Sequence, residues 1–370
     1  MRPALNLFFL SLLLGNISAY AAEASSSGPT SCAHTKTVIE TKTVYSTQSN
    51  PTDTGGNQPS SVESNKPSGS SGNATPSGSS GNATPTNTGL PKNLKLKNPI
   101  VGCECGYNVT SLNVYFPYHY SFFFDSLNAL GKVNWDDSQW LRNDGELVQQ
   151  TTKDGVGCKG RKDNVYIDDR DLVLKVPKDQ KVSAEMNCAE IVYKEKKITG
   201  GIFQTTAKLN GVLGTAQTFR LNHSTTTGQD EVDLMIYSSE IDKIGMRNNN
   251  YHVRYLLIDQ RQVAFPDVKE NDPREMYSNY TIVWLDDTTA RYFNDVKQDS
   301  PTDYHLQKGE SMVFGINHWT DGDKGQTAGP PKDKDALLRV LHVLMYYKTE
   351  DVSKMSDLSN NCQQKDICQV

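Results

Sequence analysis

From about Lys95 onward, the chain is a series of short apolar stretches separated by turn residues, and apolar and polar positions alternate within them. This period of two is typical of β-strands that bury one face. The pattern predicts strands at residues 164–167, 172–176, 201–209, 216–221, 232–237, 252–258, 281–284, 290–293, 312–316 and 338–347. Many short strands with almost no helix-period stretch indicate an all-β fold, an antiparallel sandwich of about 250 residues.

One apolar segment near the C-terminus allows two interpretations. Local propensity permits a helix over residues 335–344. The run 340–346 contains β-branched residues and ends in two tyrosines, which are enriched in strands. We therefore predict a strand over 340–346.

The segment before the patterned region is rich in Ser, Thr, Asn, Gly and Pro, and residues 67–75 repeat without change as 76–84. Such a composition buries too little apolar surface to offset its chain entropy, so we predict a disordered stalk over residues 22–98. Hydroxyl-rich, Pro-spaced runs are also typical of glycosylated stalks. Sequons for N-linked glycans occur at Asn73, Asn82, Asn108, Asn222 and Asn279.

The first 21 residues resemble a secretory signal peptide. Arg2 precedes an apolar run at 5–14, and Ala19-Tyr20-Ala21 has the small-x-small form of a cleavage site. The run is too short to span a bilayer, so we predict a secreted, extracellular protein with no membrane span.

Composition narrows the choice of partners. The chain has 38 Lys and Arg against 43 Asp and Glu, a net charge of −5, and a mean hydropathy of −0.59. Without a basic field, nucleic acid is not an expected partner. The low hydropathy fits a polar segment that dilutes an ordinary core.

Cysteine usage agrees with secretion. Six of the seven cysteines follow residue 100, enough for three disulfides in the domain at 99–350 and the tail at 351–370, whereas Cys32 is left over. Cys103 and Cys105 are too close to pair easily with each other. A bridge from either of them to Cys362 or Cys368 would join the two ends of the domain, although the sequence does not select the pairing. No histidine has zinc-like spacing near Cys103 or Cys105, so we expect disulfides, no metal site and no cofactor.

The segment at 228–240 carries the candidate chemistry. On a strand, Glu231, Asp233 and Met235 share one face, and the apolar residues between them share the other. Two carboxylates on one face repel each other, which raises the pKa of one and is common at functional sites. Taken alone, a solvated polar strand face explains the pattern equally well.

The segment Glu231-Val-Asp233-Leu-Met235 resembles the Glu-x-Asp-x-Glu motif of glycoside hydrolase family 16, except at its last position. Further similar segments, including an opening like that of secreted fungal members, lie at residues 103–107, 199–208, 214–219, 277–284, 290–295 and 317–323. The resemblance covers roughly residues 100–350. It implies a concanavalin A-like jelly-roll sandwich and a polysaccharide substrate, a β-glucan or a related cell-wall polymer.

The resemblance also implies roles for individual residues. Family 16 enzymes retain anomeric configuration, with one carboxylate as nucleophile and another as acid/base. By position, Glu231 would be the nucleophile, Asp233 its helper, and Met235 would occupy the acid/base position without a proton to donate. Trp319, in an apparent loop beside Asp321, would stack on a sugar ring, and both are candidate substrate-binding residues.

Two hypotheses about the function follow, one for an enzyme and one for a non-catalytic protein. The first is a secreted hydrolase or transglycosylase of cell-wall glucan whose hydrolysis is weakened by Met235. The second is a non-catalytic glucan-binding or structural protein of the cell wall. Glu240, a few residues beyond the motif, is the one substitute acid that we considered.

Overall fold

The computed structural model describes residues 89–97, 103, 105–124, 135, 138–150, 156–183, 185–225, 228–242, 246–252, 257–263, 271–285, 288–298, 311–322, 327–350, 362 and 366–370. The predicted signal peptide, most of the predicted stalk with Asn73 and Asn82, and most of the tail lie outside these residues. The only helical element among the described residues is a three-residue 3-10 turn, Lys162–Asn164. They contain no helix long and apolar enough to cross a membrane.

The described residues form twenty strands. They are β1 Tyr107–Val109, β2 Val114–Phe116, β3 Tyr118–Phe123, β4 Trp140–Arg142, β5 Leu147–Gln150, β6 Gly157–Gly160, β7 Val165–Asp168, β8 Asp171–Val176, β9 Met186–Tyr193, β10 Ile198–Lys208, β11 Ala216–Thr225, β12 Gly228–Tyr237, β13 Met246–His252, β14 Leu257–Val263, β15 Ser278–Leu285, β16 Thr288–Phe293, β17 Val296–Lys297, β18 Val313–Trp319, β19 Ala336–Thr349 and β20 Cys368–Gln369.

Two large sheets carry the fold. The first has the order β17-β16-β15-β10-β19-β8-β7, and β3 also pairs with β19. The second has the order β14-β13-β12-β11-β18-β9-β6-β5, and β4 also pairs with β9. A small third sheet has the order β2-β1-β20. This is an all-β jelly-roll sandwich, which confirms the predicted fold class.

The core lies between the two large sheets because alternate residues of each strand point inward. Val232, Leu234 and Ile236 of β12 are fully buried there. Aromatic rings join the sheets: Phe219 of β11 stacks on Tyr280 of β15, with ring centroids 4.8 Å apart. Burying each such side chain contributes about 1.5–3 kcal/mol. The opposite face of β12 is therefore free to carry polar residues.

Disulfides join the beginning and the end of the domain, as the sequence suggested. Cys103 pairs with Cys368, Cys105 with Cys362, and Cys158 with Cys188. The packed chain also begins before the boundary predicted at residue 99. Leu94 is buried, and the carbonyl oxygen of Lys97 accepts a hydrogen bond from the Tyr346 hydroxyl (2.7 Å).

Most predicted strands match observed ones, but β1–β6, β17 and β20 were not predicted, and other differences also occur. The helix considered over 335–344 is wrong, because β19 is a strand throughout. The single strand predicted over 252–258 is wrong, because β13 ends at His252 and β14 begins at Leu257. Strand β9 was not predicted. Its two faces are both largely buried, so its sequence lacks a clear alternation.

We predict that the Cys105–Cys362 bridge stabilises the domain by closing the short loop that it forms together with the Cys103–Cys368 bridge, which already joins the two ends. Replacing both cysteines with serine should lower the free energy of unfolding by about 2–5 kcal/mol. Urea unfolding followed by tryptophan fluorescence measures the change. A change below about 0.5 kcal/mol, the level of a neutral surface substitution, would contradict the prediction.

We also predict that the domain loses stability in acid through buried histidines. His318, on the core face of β18, donates from Nδ1 to the carbonyl oxygen of Leu174 (2.8 Å), and burial lowers its pKa to about 4. The unfolded state therefore binds more protons than the folded state below about pH 6.5, the ordinary pKa of histidine. Stability should be insensitive to this group above that pH and should fall as the pH drops toward 4.

Urea unfolding at several pH values tests this in the wild type and in His318→Gln. The substitution should reduce the slope of stability against pH by up to about 1.4 kcal/mol per pH unit between pH 6.5 and 4. The slope is informative even if the variant is less stable overall. An unchanged slope would show that other groups cause the acid sensitivity.

Candidate functional site

The candidate site lies on the outer face of the second sheet, opposite the core. Alternation along β12 places Glu231, Asp233 and Met235 on this face. Their partners on β11 are Asn222, Arg220 and Thr218, respectively. Beyond β11 lie β18 and then β9, so the three predicted catalytic positions share one surface with residues from four adjacent strands.

Arg220 is the centre of a buried charge network. Its Nη2 lies 2.5 Å from Oε1 of Glu190, on β9, and its Nη1 lies 3.6 Å from Oε1 of Glu231. Burial by itself lowers the pKa of Arg220, but the carboxylates of Glu190 and Glu231 outweigh it and raise that pKa above its ordinary value. The guanidinium therefore stays charged and orients the Glu231 carboxylate.

The other oxygen of Glu190 is also engaged. Asn143 donates from Nδ2 to Oε2 of Glu190 (2.7 Å), and Nδ2 of Asn317 lies 3.5 Å from Oε1. Glu190 thus accepts hydrogen bonds on both carboxylate oxygens while remaining buried. Buried carboxylates are stable in proteins when they are paired in this way.

Asp233, the predicted helper, is held through its main chain. Its side chain shares the outer face with Glu231, yet the residue is only 2% exposed. Its carbonyl oxygen accepts a hydrogen bond from Nε of Arg291, a buried residue of β16 in the first sheet (3.0 Å). This contact ties the centre of β12 to the opposite sheet.

Met235 lies beside a second ion pair. Its partner on β13 is Arg247. Arg247 donates from Nε to Oε2 of Glu240 (2.9 Å) and from Nη2 to Oε1 (2.6 Å), and its guanidinium lies over the Tyr237 ring, 4.9 Å from the centroid. Both oxygens of Glu240 thus accept from one guanidinium, which pairs with them through two hydrogen bonds.

Trp319 and Asp321 lie next to the site but are buried. Trp319 is the last residue of β18, so the loop position expected from the sequence is wrong. It is 2% exposed and donates from Nε1 to Oγ1 of Thr218 (2.9 Å). Asp321 is 1% exposed and accepts from the Thr327 hydroxyl (2.5 Å). Their predicted role in substrate binding stays a prediction.

Trp319 belongs to a compact apolar group on the outer face, which we call the Trp319 cluster. Met235 packs against it from the side of β12. The ring of Tyr237 meets Trp319 edge-on, with centroids 6.0 Å apart. The cluster consists of Val148, Cys158, Met186, Cys188, Ala216, Tyr237 and Trp319.

A pocket of about 480 Å³ opens beside Asn222, the β11 partner of Glu231, and we call it the Glu190 pocket. Its volume lies in the range of about 300–1,000 Å³ typical of small-ligand sites. The lining residues are Asn143, Glu146, Leu147, Val148, Glu190, Val192, Lys196, Arg220, Asn222, His223 and Val313. Its floor is polar and carries both signs of charge, which suits uncharged ligands rich in hydroxyl groups.

Sequence reasoning missed Glu190 and Asn143. Glu190 lies in the unpredicted strand β9, and the one available signal was an acidic residue in an otherwise apolar run next to Cys188. Asn222, a sequon, also lines the pocket.

Among the described residues, no group of three or more His, Cys, Asp or Glu side chains is arranged to hold a metal ion.

The family comparison identifies the domain. The model of glycosyl hydrolases family 16 matches residues 152–330, a segment that runs from β6 through β18 and contains Glu190, Arg220 and the β12 residues. This match confirms the resemblance to glycoside hydrolase family 16 that the sequence indicated.

Solved structures of similar proteins include a lichenase from a mouse hindgut metagenome, with 17% identity, 62% of this chain and 99% of that chain covered, and a TM-score of 0.48. A Bacillus licheniformis β-glucanase shows 15% identity over 63% of this chain and 98% of that chain, with a TM-score of 0.49. A pseudo β-1,3-glucanase of Mycobacterium tuberculosis shows 11% identity over 58% of this chain and 92% of that chain, with a TM-score of 0.44. No curated protein matches the sequence.

We predict that Arg220 is essential for the stability of the site. Arg220→Met leaves Glu190 buried without its cation, which should cost about 3–5 kcal/mol of unfolding free energy. The double variant Arg220→Met/Glu190→Gln should recover part of this loss, because the unpaired charge is removed. Urea unfolding measures both.

The matched control is Lys159→Met, which removes an exposed ion pair with Glu185 (2.7 Å). That pair should contribute only about 0–1 kcal/mol. If Arg220→Met costs no more than Lys159→Met, the buried network does not stabilise the site.

Proposed function

We propose that this chain is a secreted, β-glucan-directed protein of the extracellular cell wall. By family chemistry it acts on O-glycosyl bonds as a retaining hydrolase or transglycosylase, with hydrolysis weakened by Met235. The observation that carries the proposal is that Glu231, Asp233 and Met235 share the outer face of β12 beside a polar pocket. The family match over 152–330 supports the reaction class.

The chemical consequence of Met235 follows from the retaining mechanism. A carboxylate attacks the anomeric carbon while a general acid protonates the departing oxygen, and the same group later activates water. A thioether can do neither. Loss of general acid–base catalysis costs about 10²–10⁴-fold in rate.

Two further carboxylates of the outer face, Glu240 and Glu190, are not placed to replace the missing acid. Glu240 accepts two hydrogen bonds from Arg247, and Glu190 accepts hydrogen bonds on both oxygens. The oxygens of both carboxylates are therefore already occupied by donors of the protein. Glu231 therefore works without a partner acid in this proposal.

The second candidate is a non-catalytic glucan-binding or structural protein of the wall. Met235 itself favours it, because the substitution removes the acid while the neighbouring pocket remains. The predicted signal peptide and glycosylated stalk support an extracellular location equally well for either candidate.

The deciding experiment compares turnover by the wild type, Met235→Glu and Met235→Gln. Substrates are a β-1,3-glucan oligosaccharide and an aryl β-glucoside with an activated leaving group. We expect the wild type to react only with the aryl substrate, since its leaving group needs no acid, and to release the aryl alcohol in a burst followed by slow turnover, because no base activates water for the second step. Met235→Glu should raise turnover of the plain oligosaccharide by about 10²-fold or more.

Met235→Gln is the matched control because it has the size of glutamate but carries no acidic proton. Equal gains in the Glu and Gln variants would mean that size or polarity, not proton donation, limits the reaction. Wild-type cleavage of the plain oligosaccharide would refute the assignment of Met235. Oligosaccharide binding without turnover by any variant on either substrate would favour the second candidate.

A further inference from the structure

The Glu190 pocket is bounded on one side by residues 143–148, which are the connection from β4 to β5 and the first two residues of β5. We call them the edge segment. This segment is fastened to β9, where the main-chain NH of Asn143 donates to the carbonyl oxygen of Glu190 (3.0 Å). The Asn143 side chain binds the Glu190 carboxylate as well. The first residue of the segment is thus held at two points.

The middle of the edge segment is held by β6. The NH of Gly145 donates to the carbonyl oxygen of Gly160, and the NH of Gly160 donates to that of Glu146, both at 2.9 Å. Gly160 lies directly against Asn143, since a Cβ at Gly160 would come within 2.5 Å of the Asn143 side chain. No larger residue fits at 160 while the segment keeps this position.

The end of the edge segment is held by apolar packing and by a nearby disulfide. Val148 is buried in the Trp319 cluster on the outer face of the sheet. The Cys158–Cys188 disulfide ties β6, the partner of β5, to β9. Hydrogen bonds, apolar packing and a covalent bridge therefore hold the edge segment in place.

The edge segment lies at the side of the pocket away from Glu231. The strand order β12, β11, β18, β9 places Glu231 at one side and Glu190 at the other, three strand spacings away. At about 4.7–4.9 Å per spacing, the two strands are about 14 Å apart. A chain that enters beside Glu231 and crosses the sheet meets the edge segment.

We propose that the edge segment closes the Glu190 pocket, so that the pocket receives the end of a glucan chain and not an internal stretch. This inference rests on the proposed function. The occupant is a neutral sugar terminus, because the floor offers Glu190, Arg220 and Asn222 for hydroxyl groups. Leu147, 48% exposed on the edge segment, offers apolar contact to the terminal ring.

Binding of end-capped oligosaccharides tests the proposal. The probe is a linear β-1,3-glucan pentasaccharide in three forms: uncapped, capped by a benzylidene acetal at the non-reducing end, and capped by a bulky aryl amine at the reducing end. Calorimetric titration uses the full secreted chain after removal of N-linked glycans, because Asn222 is a sequon. We expect one capped form to bind about tenfold more weakly or worse, and the other to bind like the uncapped sugar.

The outcomes separate this inference from the proposed function. If the uncapped pentasaccharide does not bind, the β-1,3-glucan proposal fails, and the chain-end inference fails with it. If all three forms bind alike, the protein binds glucan but the pocket is open at both ends, and only the chain-end inference is overturned. Equal loss with both caps would also contradict a pocket with one closed end.

Leu147→Ala tests the edge segment itself. It should weaken binding of the uncapped sugar by about three- to tenfold, because an apolar contact is lost. The ratio of the affinity for the uncapped sugar to the affinity for the excluded capped sugar should therefore fall. Leu213→Ala is the matched control, since Leu213 is 60% exposed and lies outside the pocket lining. An unchanged ratio in Leu147→Ala would show that the edge segment does not meet the chain end.

Discussion

The pairing of Arg220 with Glu190 and Glu231 is the interaction on which the rest of the site depends. A buried charge without a partner costs several kcal/mol, so the three residues stabilise the outer face only when β9, β11 and β12 are in their observed order and register. The same network fastens the edge segment, because Asn143 binds the oxygen of Glu190 that Arg220 does not contact. Strand order, the orientation of the Glu231 carboxylate and pocket shape therefore depend on the same charge network.

The outer face of the second sheet is covered to an unusual extent for a binding surface. On one side of Arg220 it is apolar, where Met235 packs against the Trp319 cluster. On the other side it is polar and opens into the Glu190 pocket. A methionine suits this boundary, because its flexible thioether fills apolar space that a carboxylate would occupy at a desolvation cost. Met235 thus contributes to the packing of the apolar side of this face.

Much of the fold could be predicted from the sequence wherever a strand buries one face only. The alternation of polar and apolar residues in β12 is clear, and β19 was correctly assigned as a strand despite some helical propensity. Strand β9 could not be predicted in the same way, because Cys188 and Val192 make its outer face nearly as apolar as its inner one. Glu190 was missed for that reason, and its partner Arg220 could not then be recognised as part of a network.

The sequence by itself determined the fold class, the shared face of Glu231, Asp233 and Met235, and the six cysteines available for three bridges. These follow from local periodicity and residue type, which a linear chain displays directly. Only the tertiary structure decided the cysteine pairing, the burial of Trp319 and Asp321, the commitment of Glu240 to Arg247, and the closed side of the pocket. Each of these depends on contacts between segments far apart in the chain, and no local pattern encodes which distant side chain will supply the partner.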